Sequence, residues 1–410
     1  MKSPLQKSSS FNGTGALIAF QSLLFVVFGS FTQSSYAPLA PFIKNSYLLD
    51  SAELGLITSI VYIGSSSVSF FAGAFVDGLG PARTIRIAFA IMAFGSLIAA
   101  LSHSYIVLVG GFYAIGFGNS LVTPSTNRAV MEEYYPNHAI PMGIKQSGVP
   151  VGAALSAVVL PLVAIHFGLQ WTFVITLALG TVISLLVGSR KKEKLELKRQ
   201  KGYMKQVLSA GRNNSLMILS ISAAFLSWGQ QSLLTYYVVF LENRGFLITI
   251  SEIFLALLLA GAVTGRIFWV SLSNRMFQKN RLKVLVLIMM ISSLLFLIFP
   301  TASVNLVSSG SIAFFVGMSA AGWNSIYVTI ISEIAPRSKV GMFSGLSLMI
   351  MSIGTIIGTP IAGFIQDSTH SYIDMWLVVG FTLFVAAILL LFAEKRFRIY
   401  RVAREHEVQT

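Results

Sequence analysis

The sequence predicts an all-α membrane protein with twelve transmembrane helices in two six-helix bundles. Three observations point there. Apolar stretches, each long enough to cross a bilayer, recur from Ala16 to Phe392 with only short polar breaks; crossing takes about 20 mostly apolar residues at about 1.5 Å each. The composition is 55% hydrophobic and 11% charged, against roughly 25% charged in a soluble domain, and the mean hydropathy is +0.76. Details of the first six stretches also return about 200 residues later. In lipid each segment must satisfy its own backbone hydrogen bonds, and these stretches are continuous rather than short and alternating, which selects helices over a barrel.

The expected segments are 16–43, 52–76, 82–102, 104–131, 140–164 and 168–189, then 215–240, 248–272, 283–301, 304–332, 341–365 and 371–393. The first follows Lys2 and Lys7. It is too long for a cleaved signal peptide, lacks a small-x-small cleavage pattern, and opens a series of further spans. The second runs into a glycine-rich turn, after which Arg83 and Arg86 begin the third. The fourth leaves the membrane at Glu132 and Glu133, and Pro141 suits the first turn of the fifth, where its missing N–H costs nothing.

The sixth ends at the longest polar break: Arg190, Lys191, Lys192, Lys194, Lys198, Arg199, Lys201, Lys205 and Arg212, opposed only by Glu193 and Glu196. The seventh carries Gln230 and Gln231. Arg275, Lys279, Arg281 and Lys283 follow the eighth, Arg337 and Lys339 the tenth, and Lys395 to Arg404 the twelfth. The alternate turns hold Lys44 and Arg244 as their only bases, with Asp50, Glu53, Glu242, Asp367 and Asp374. This asymmetry is the positive-inside pattern; it predicts a multi-pass cell-membrane protein with both termini in the cytoplasm. Residues 1–189 form the expected N-terminal bundle, 190–214 a basic cytoplasmic linker, and 215–410 the C-terminal bundle with a cytoplasmic tail.

A formal charge of +14 would suggest nucleic acid in a soluble protein. Here the bases lie at helix ends, where they anchor topology beside anionic lipid, so the lipid bilayer is the expected partner and nucleic acid is not. Absent cysteine removes disulfides, thiol catalysis and thiolate metal sites. No GxxxxGK[ST] phosphate loop, HExxH or His/Glu cluster occurs, and His103, His138, His166, His370 and His406 fall near helix ends. Neither an enzyme nor an ATP-driven pump is expected, nor any cofactor or bound metal.

The repeat is specific. Glu133-Tyr134-Tyr135-Pro136 returns as Glu333-Ile334-Ala335-Pro336, Asn119-Ser120 as Asn324-Ser325, and the turn at Asp77 as that at Asn274, at offsets of 200, 205 and 197 residues. Matches that all fall at an offset of about 200 residues argue for parallel repeats of six plus six helices, as in some secondary transporters. The turn from Gly73 through Asp77, Gly80 and Pro81 to Arg83 resembles the major facilitator superfamily signature GxLADrxGrr between helices 2 and 3. Its small residues allow close helix contact, and Asp77 can cap helix 3 or pair with a base. Gly78 stands where the family usually has a base, and the second copy, ending at Asn274-Arg275, lacks the acid.

In segment four, Asn127-Arg128 through Glu133 resembles the organic-anion branch of that superfamily, whose arginine at this place contacts the anionic substrate. Segment five, Gly143-Ile144-Lys145-Gln146-Ser147-Gly148-Val149-Pro150, is similar to the same branch, and Gly265-Arg266-Ile267-Phe268-Trp269 to a segment of monocarboxylate and oxalate carriers where an arginine grips a carboxylate. The exporter motif of helix 5 is not matched by Gly148-Val149-Pro150, and RxxQG is absent from helix 4, with Phe112 and Ile115 at the places of its arginine and glutamine. Both lean away from drug/proton antiport.

An ionised base inside a span costs at least ~2.5 kcal/mol, so it needs a partner, water or a function. Arg128, Lys145 and Arg266 are such bases, and the reading places no acid well inside a segment to neutralise them; Arg266 lies about 12 Å of helix from Asn274. Unpaired positive charge in a central cavity suits a small anion, most simply a carboxylate bridged by guanidinium groups from both halves. Asn127, Gln33, Tyr36, Gln231, Tyr236, Asn324 and Tyr327 are the expected orienting donors, although buried amides also tie helices together. Gly73, Asp77, Gly80, Arg83, Asn274 and Arg275 form the expected gating motif. The expected function is alternating-access transport of a small organic anion by a monomer, with a coupling proton. The alternative is a polyspecific exporter of drugs, metabolites or siderophores.

Overall fold

A computed structural model describes residues 13–134, 139–187, 211–277, 280–301, 305–335 and 340–409. The chain is all-α: α1 Gly13–Gln33, α2 Ala40–Tyr47, α3 Ser51–Leu79, α4 Pro81–Ala100, α5 Tyr105–Asn119, α6 Val122–Tyr134, α7 Ala139–Gln146, α8 Gly148–Phe167 and α9 Leu169–Leu186. After the basic stretch come α10 Asn214–Asn243, α11 Ile248–Arg275, α12 Arg281–Ile298, α13 Leu306–Val316, α14 Asn324–Ile334, α15 Val340–Thr369 and α16 Tyr372–Gln409. Most of the expected linker, through residue 210, lies outside the described residues. Among those residues ten helical spans are long and apolar enough to cross a membrane. The other two expected spans coincide with α3 and α10, of 29 and 30 residues, each about 45 Å long.

Four expected segments are interrupted, each for a local reason. The first ends near Tyr36 rather than at 43: a single 3₁₀ turn, Ser34–Tyr36, leads to α2, which has Pro41 in its first turn. Pro124 has no N–H for the Ser120 carbonyl, and the fourth breaks there between α5 and α6. Pro150 does the same to Gln146, where α7 stops and α8 starts. The tenth carries a π-helical turn, Gly317–Ala321, between α13 and α14. Such turns recur at functional sites.

Packing repeats as the sequence does. α1 packs on α8 as α10 does on α15, α4 on α9 as α12 on α16, and α3 on α5 as α11 on α13. The contacts are made possible by glycines at matching places. Gly152 lies against the Val27 carbonyl and Gly354 against that of Ala224; Gly116 lies against Val61 and Gly317 against Leu258. A Cβ at any of the four would overlap backbone, so the repeat is written in helix contacts as well as in sequence.

The first six spans meet the last six through α3 against α15 and α8 against α11. The polar contacts across this seam collect at the end bearing Asp50 and Asp367. There the Asp367 carboxylate accepts the Ser51 N–H at 2.9 Å and the Ala52 N–H at 2.8 Å. An acid from one half thus satisfies free donors at the start of a helix in the other. Asp50 and Glu53 complete the cap as a reciprocal box. Ser51 Oγ donates to Gln366, Lys44 Nζ donates to Ser51 Oγ at 2.9 Å and to Tyr372 at 3.3 Å, and Ser59 Oγ donates to the Ile356 carbonyl at 2.7 Å. This end is closed.

Candidate functional site

Two amide pairs, one in each half, lie well inside the helices. Asn119 Nδ2 donates to Gln33 Oε1, Gln33 Nε2 donates to Ser65 Oγ at 3.3 Å, and Ser65 Oγ donates to the Gly116 carbonyl at 2.9 Å. In the other half Asn324 Nδ2 donates to Gln230 Oε1 at 3.2 Å. The two asparagines are 205 residues apart and the two glutamines 197, so the pairs are copies. All four amides are partly exposed although they belong to spanning helices, and each keeps donors or acceptors to spare.

Between these pairs and the closed end lies a buried bridge. Tyr36 O–H donates to Gln231 Oε1 at 2.9 Å, and Gln231 Nε2 donates to the Tyr62 hydroxyl. One turn of α10 further, Thr235 shares a 2.7 Å hydrogen bond with Thr58. Tyr236 O–H reaches the carbonyls of Ser51 at 2.8 Å and Thr359 at 2.9 Å. Tyr236 therefore bolts the closed end and stands apart from the amides. Tyr327 is fully buried with Ser347 and Ser220. Tyr62 was not among the expected donors; its place in α3, one residue past the buried Val61, reads in sequence as lipid-facing or core aromatic.

The three bases differ. Arg128 has an acidic partner: its Nε meets Glu132 Oε1 at 2.6 Å and its Nη1 donates to the Val76 carbonyl at 2.9 Å. The expectation of an unneutralised charge is corrected here, because the i,i+4 spacing on α6 brings the two side chains together. Lys145 is fully buried, with Nζ donating to Thr126 Oγ1 at 3.2 Å and to Asn127 Oδ1. Arg266 is half-buried with its Nε enclosed and unbonded, and among the described residues it has no carboxylate partner. It lies two turns from Leu259 on the same face of α11.

A second correction concerns acids. Glu252 belongs to the eighth span, is 5% exposed, and has no hydrogen bond at either carboxylate oxygen. It stands four residues into α11 and is buried there, so a spanning segment does hold an acid well enclosed by the fold.

The signature turn keeps its backbone logic. Gly80 ends α3 at φ +78°, a conformation side chains disfavour, and Pro81 starts α4. Position 73 and the Asp77 side chain lie outside the side chains described. Arg83 is half-buried and Arg275 exposed. Asn274 Oδ1 accepts from Arg281 at 3.5 Å, and Arg281 also pairs with Glu333. The second copy of the turn thus replaces its lost acid with one from the end of α14.

The model of the family described as "Major Facilitator Superfamily" matches residues 22–358. A hexuronate transporter of Bacillus subtilis is 24% identical over 373 residues, covering 85% of this chain and 87% of that protein. A gentisate transporter of Corynebacterium glutamicum is 22% identical over 402 residues, covering 94% and 89%. A bacterial homolog of the human lysosomal transporter Spinster, solved in an inward-facing and unoccupied conformation, superposes with a TM-score of 0.80 at 17% identity, covering 96% and 99%.

Proposed function

The chain belongs to the Major Facilitator Superfamily, and on that premise we propose that it carries a small hydroxylated carboxylate across the cell membrane by alternating access. It is a multi-pass membrane transporter and not an enzyme. The observation that carries the substrate class is Arg266: a half-buried guanidinium with no carboxylate of its own is a vacant half of an ion pair. The two amide pairs supply neutral donors and acceptors suited to hydroxyl groups, one set from each half. Hexuronate and gentisate, named for two relatives, both combine a carboxylate with hydroxyls.

The positive-inside pattern puts the basic ends and both termini in the cytoplasm. The Asp367 latch then seals the outer side. Transport proceeds by rocking 13–187 against 211–409, with uptake driven by a proton. Arg128 ties α6 to the end of α3, and Lys145 ties α7 to α6, so both support the site from behind.

The test is uptake into proteoliposomes of labelled glucuronate, gentisate, a neutral hexose and a sugar phosphate, with and without an inward proton gradient. The expected result is accumulation of the carboxylates alone, lowered about tenfold or more in affinity by Arg266→Lys, which keeps the charge but loses the planar fork. Uptake of the neutral sugar, or unchanged affinity in Arg266→Lys, overturns the substrate class. A reporter fused after Lys198 and read as external overturns the orientation.

A further inference from the structure

α11 meets α8 across the seam between the halves. Leu255 and Leu259 of α11 are buried with Ala157 of α8 and Val238 of α10, and Ala153, Ala154 and Leu234 close around them. Glu252 is one turn before Leu255 and two before Leu259, so it occupies the same face of α11, at the closed end of this apolar seam. It is 5% exposed and neither carboxylate oxygen has a hydrogen-bond partner. It is one residue past the first turn of α11, whose free N–H groups therefore do not serve it.

No base answers it. On α8 the one titratable residue is His166, exposed, its Nδ1 bonded to the Leu162 carbonyl. On α10 the charged neighbour that acts on it is Glu242, another acid. Arg244, beyond the end of α10, donates to the Pro300 carbonyl and lies over the Phe240 ring. Arg266, on its own helix, is about 21 Å away, and Arg275, Arg281 and Lys283 lie at the opposite ends of α11 and α12. An ionised carboxylate buried at the end of an apolar seam without a hydrogen bond is a state that proteins avoid by taking up a proton.

We propose that Glu252 is a pH-sensitive latch of the closed end: it holds a proton while the seam between α8 and α11 is shut and exchanges it with the water on that side when the seam parts. The step is the binding of one proton to a carboxylate oxygen, with no other bond made or broken. It rests on the alternating-access reading, and it names the group through which the pH on that side acts on the closed end, separate from the proton that drives uptake. Closure expels water from Glu252 and favours its neutral form. By linkage, raising the pH favours the parted seam, in which the carboxylate is hydrated.

The experiment uses the full chain, which has no cysteine, purified in lipid nanodiscs. Cysteines replace the exposed Leu101 and Leu247 at the closed end, one in each half, and carry spin labels. Label distances are then measured from pH 5 to 9. The unsubstituted Glu252 protein is expected to show the short distance at low pH and a growing long-distance population as pH rises; Glu252→Gln, which mimics the neutral acid, should keep the short distance throughout. Glu242→Gln, which removes the neighbouring negative charge, should shift the transition to lower pH. Superimposable pH profiles for Glu252 and Glu252→Gln proteins, or a short distance unaffected by pH in both, overturn the proposal. No substrate enters this measurement, so failure of the carboxylate reading appears separately, as missing uptake with the pH response intact.

Discussion

The two halves of the chain share a scaffold and differ in what they do with charge. Both place an amide pair inside equivalent helices, Gln33 with Asn119 and Gln230 with Asn324, and both use glycine at matching helix contacts. The N-terminal half ties its spanning bases into its own structure: Arg128 to Glu132 and Val76, Lys145 to Thr126 and Asn127. Among the described residues of the C-terminal half, half-buried Arg266 has no acid and buried Glu252 no base. A repeat constrains packing because both copies must fill the same space. It places no such constraint on titratable groups, and Arg266 and Glu252, on one face of α11, have no counterpart at the matching places of the first copy.

The contrast breaks most clearly by exchanging which half loses a charge. Arg266→Gln is expected to reduce carboxylate affinity about a hundredfold, the upper range for losing a charge-assisted pair, with little change in the melting temperature of the detergent-purified protein. Lys145→Met should do the reverse. It leaves the Asn127 and Thr126 oxygens without their donor, which costs about 1–3 kcal/mol, so the melting temperature falls while affinity stays within about twofold. A Lys145→Met protein of normal melting temperature that no longer binds carboxylate would end the asymmetry and return Lys145 to the substrate.

A smaller effect is expected at the seam. Asp367→Ala removes an acceptor shared by two N–H groups, and hydrogen bonds to a charged group contribute about 1.5–3 kcal/mol. The parted state should gain roughly tenfold or more over the closed one, read as increased labelling of a cysteine at Thr58, which is buried against Thr235 in the closed state. Labelling equal to that of the intact latch would show that α3 and α15 are held by apolar packing alone.

The smallest and most discriminating comparison is between the amide copies. Gln33→Ala and Gln230→Ala each remove one neutral hydrogen-bonding partner, and each should weaken substrate binding about fivefold. Equal losses, measured by substrate-induced quenching of tryptophan fluorescence, mark a substrate held across both halves. A loss at Gln230 alone would place the whole site in the C-terminal half beside Arg266.

Much of this was legible in the residues. Length and continuity of the apolar runs, the repeat, and the places of Gly80, Pro81 and Asn324 follow from chemistry local to the chain: a span needs about 20 apolar residues, a positive φ needs glycine, and a repeat keeps its spacing. Arg266 also stood out, since a guanidinium in a span demands an explanation wherever it points. The helix breaks at Ser120 and Ser147 could have been read from Pro124 and Pro150, whose missing N–H groups fall on those turns.

The rest depended on contacts between residues far apart in sequence. That Lys145 bonds Thr126 and Asn127, that Tyr236 bolts the closed end and that Tyr36 joins a bridge through Gln231 to Tyr62 were decided when helices met, whereas the Glu132 partner of Arg128 lies four residues on in the same helix. Glu252 shows the division most sharply. In sequence it is an acid four residues into a span, where a solvated side chain is the ordinary outcome; only the tertiary fold encloses it. Sequence by itself determined the class, the twelve spans and the residues that lipid cannot tolerate unexplained, because each of those is a local transfer free energy. Tertiary structure decided which of those residues found a partner, because desolvation and pairing depend on what another helix brings to the same place.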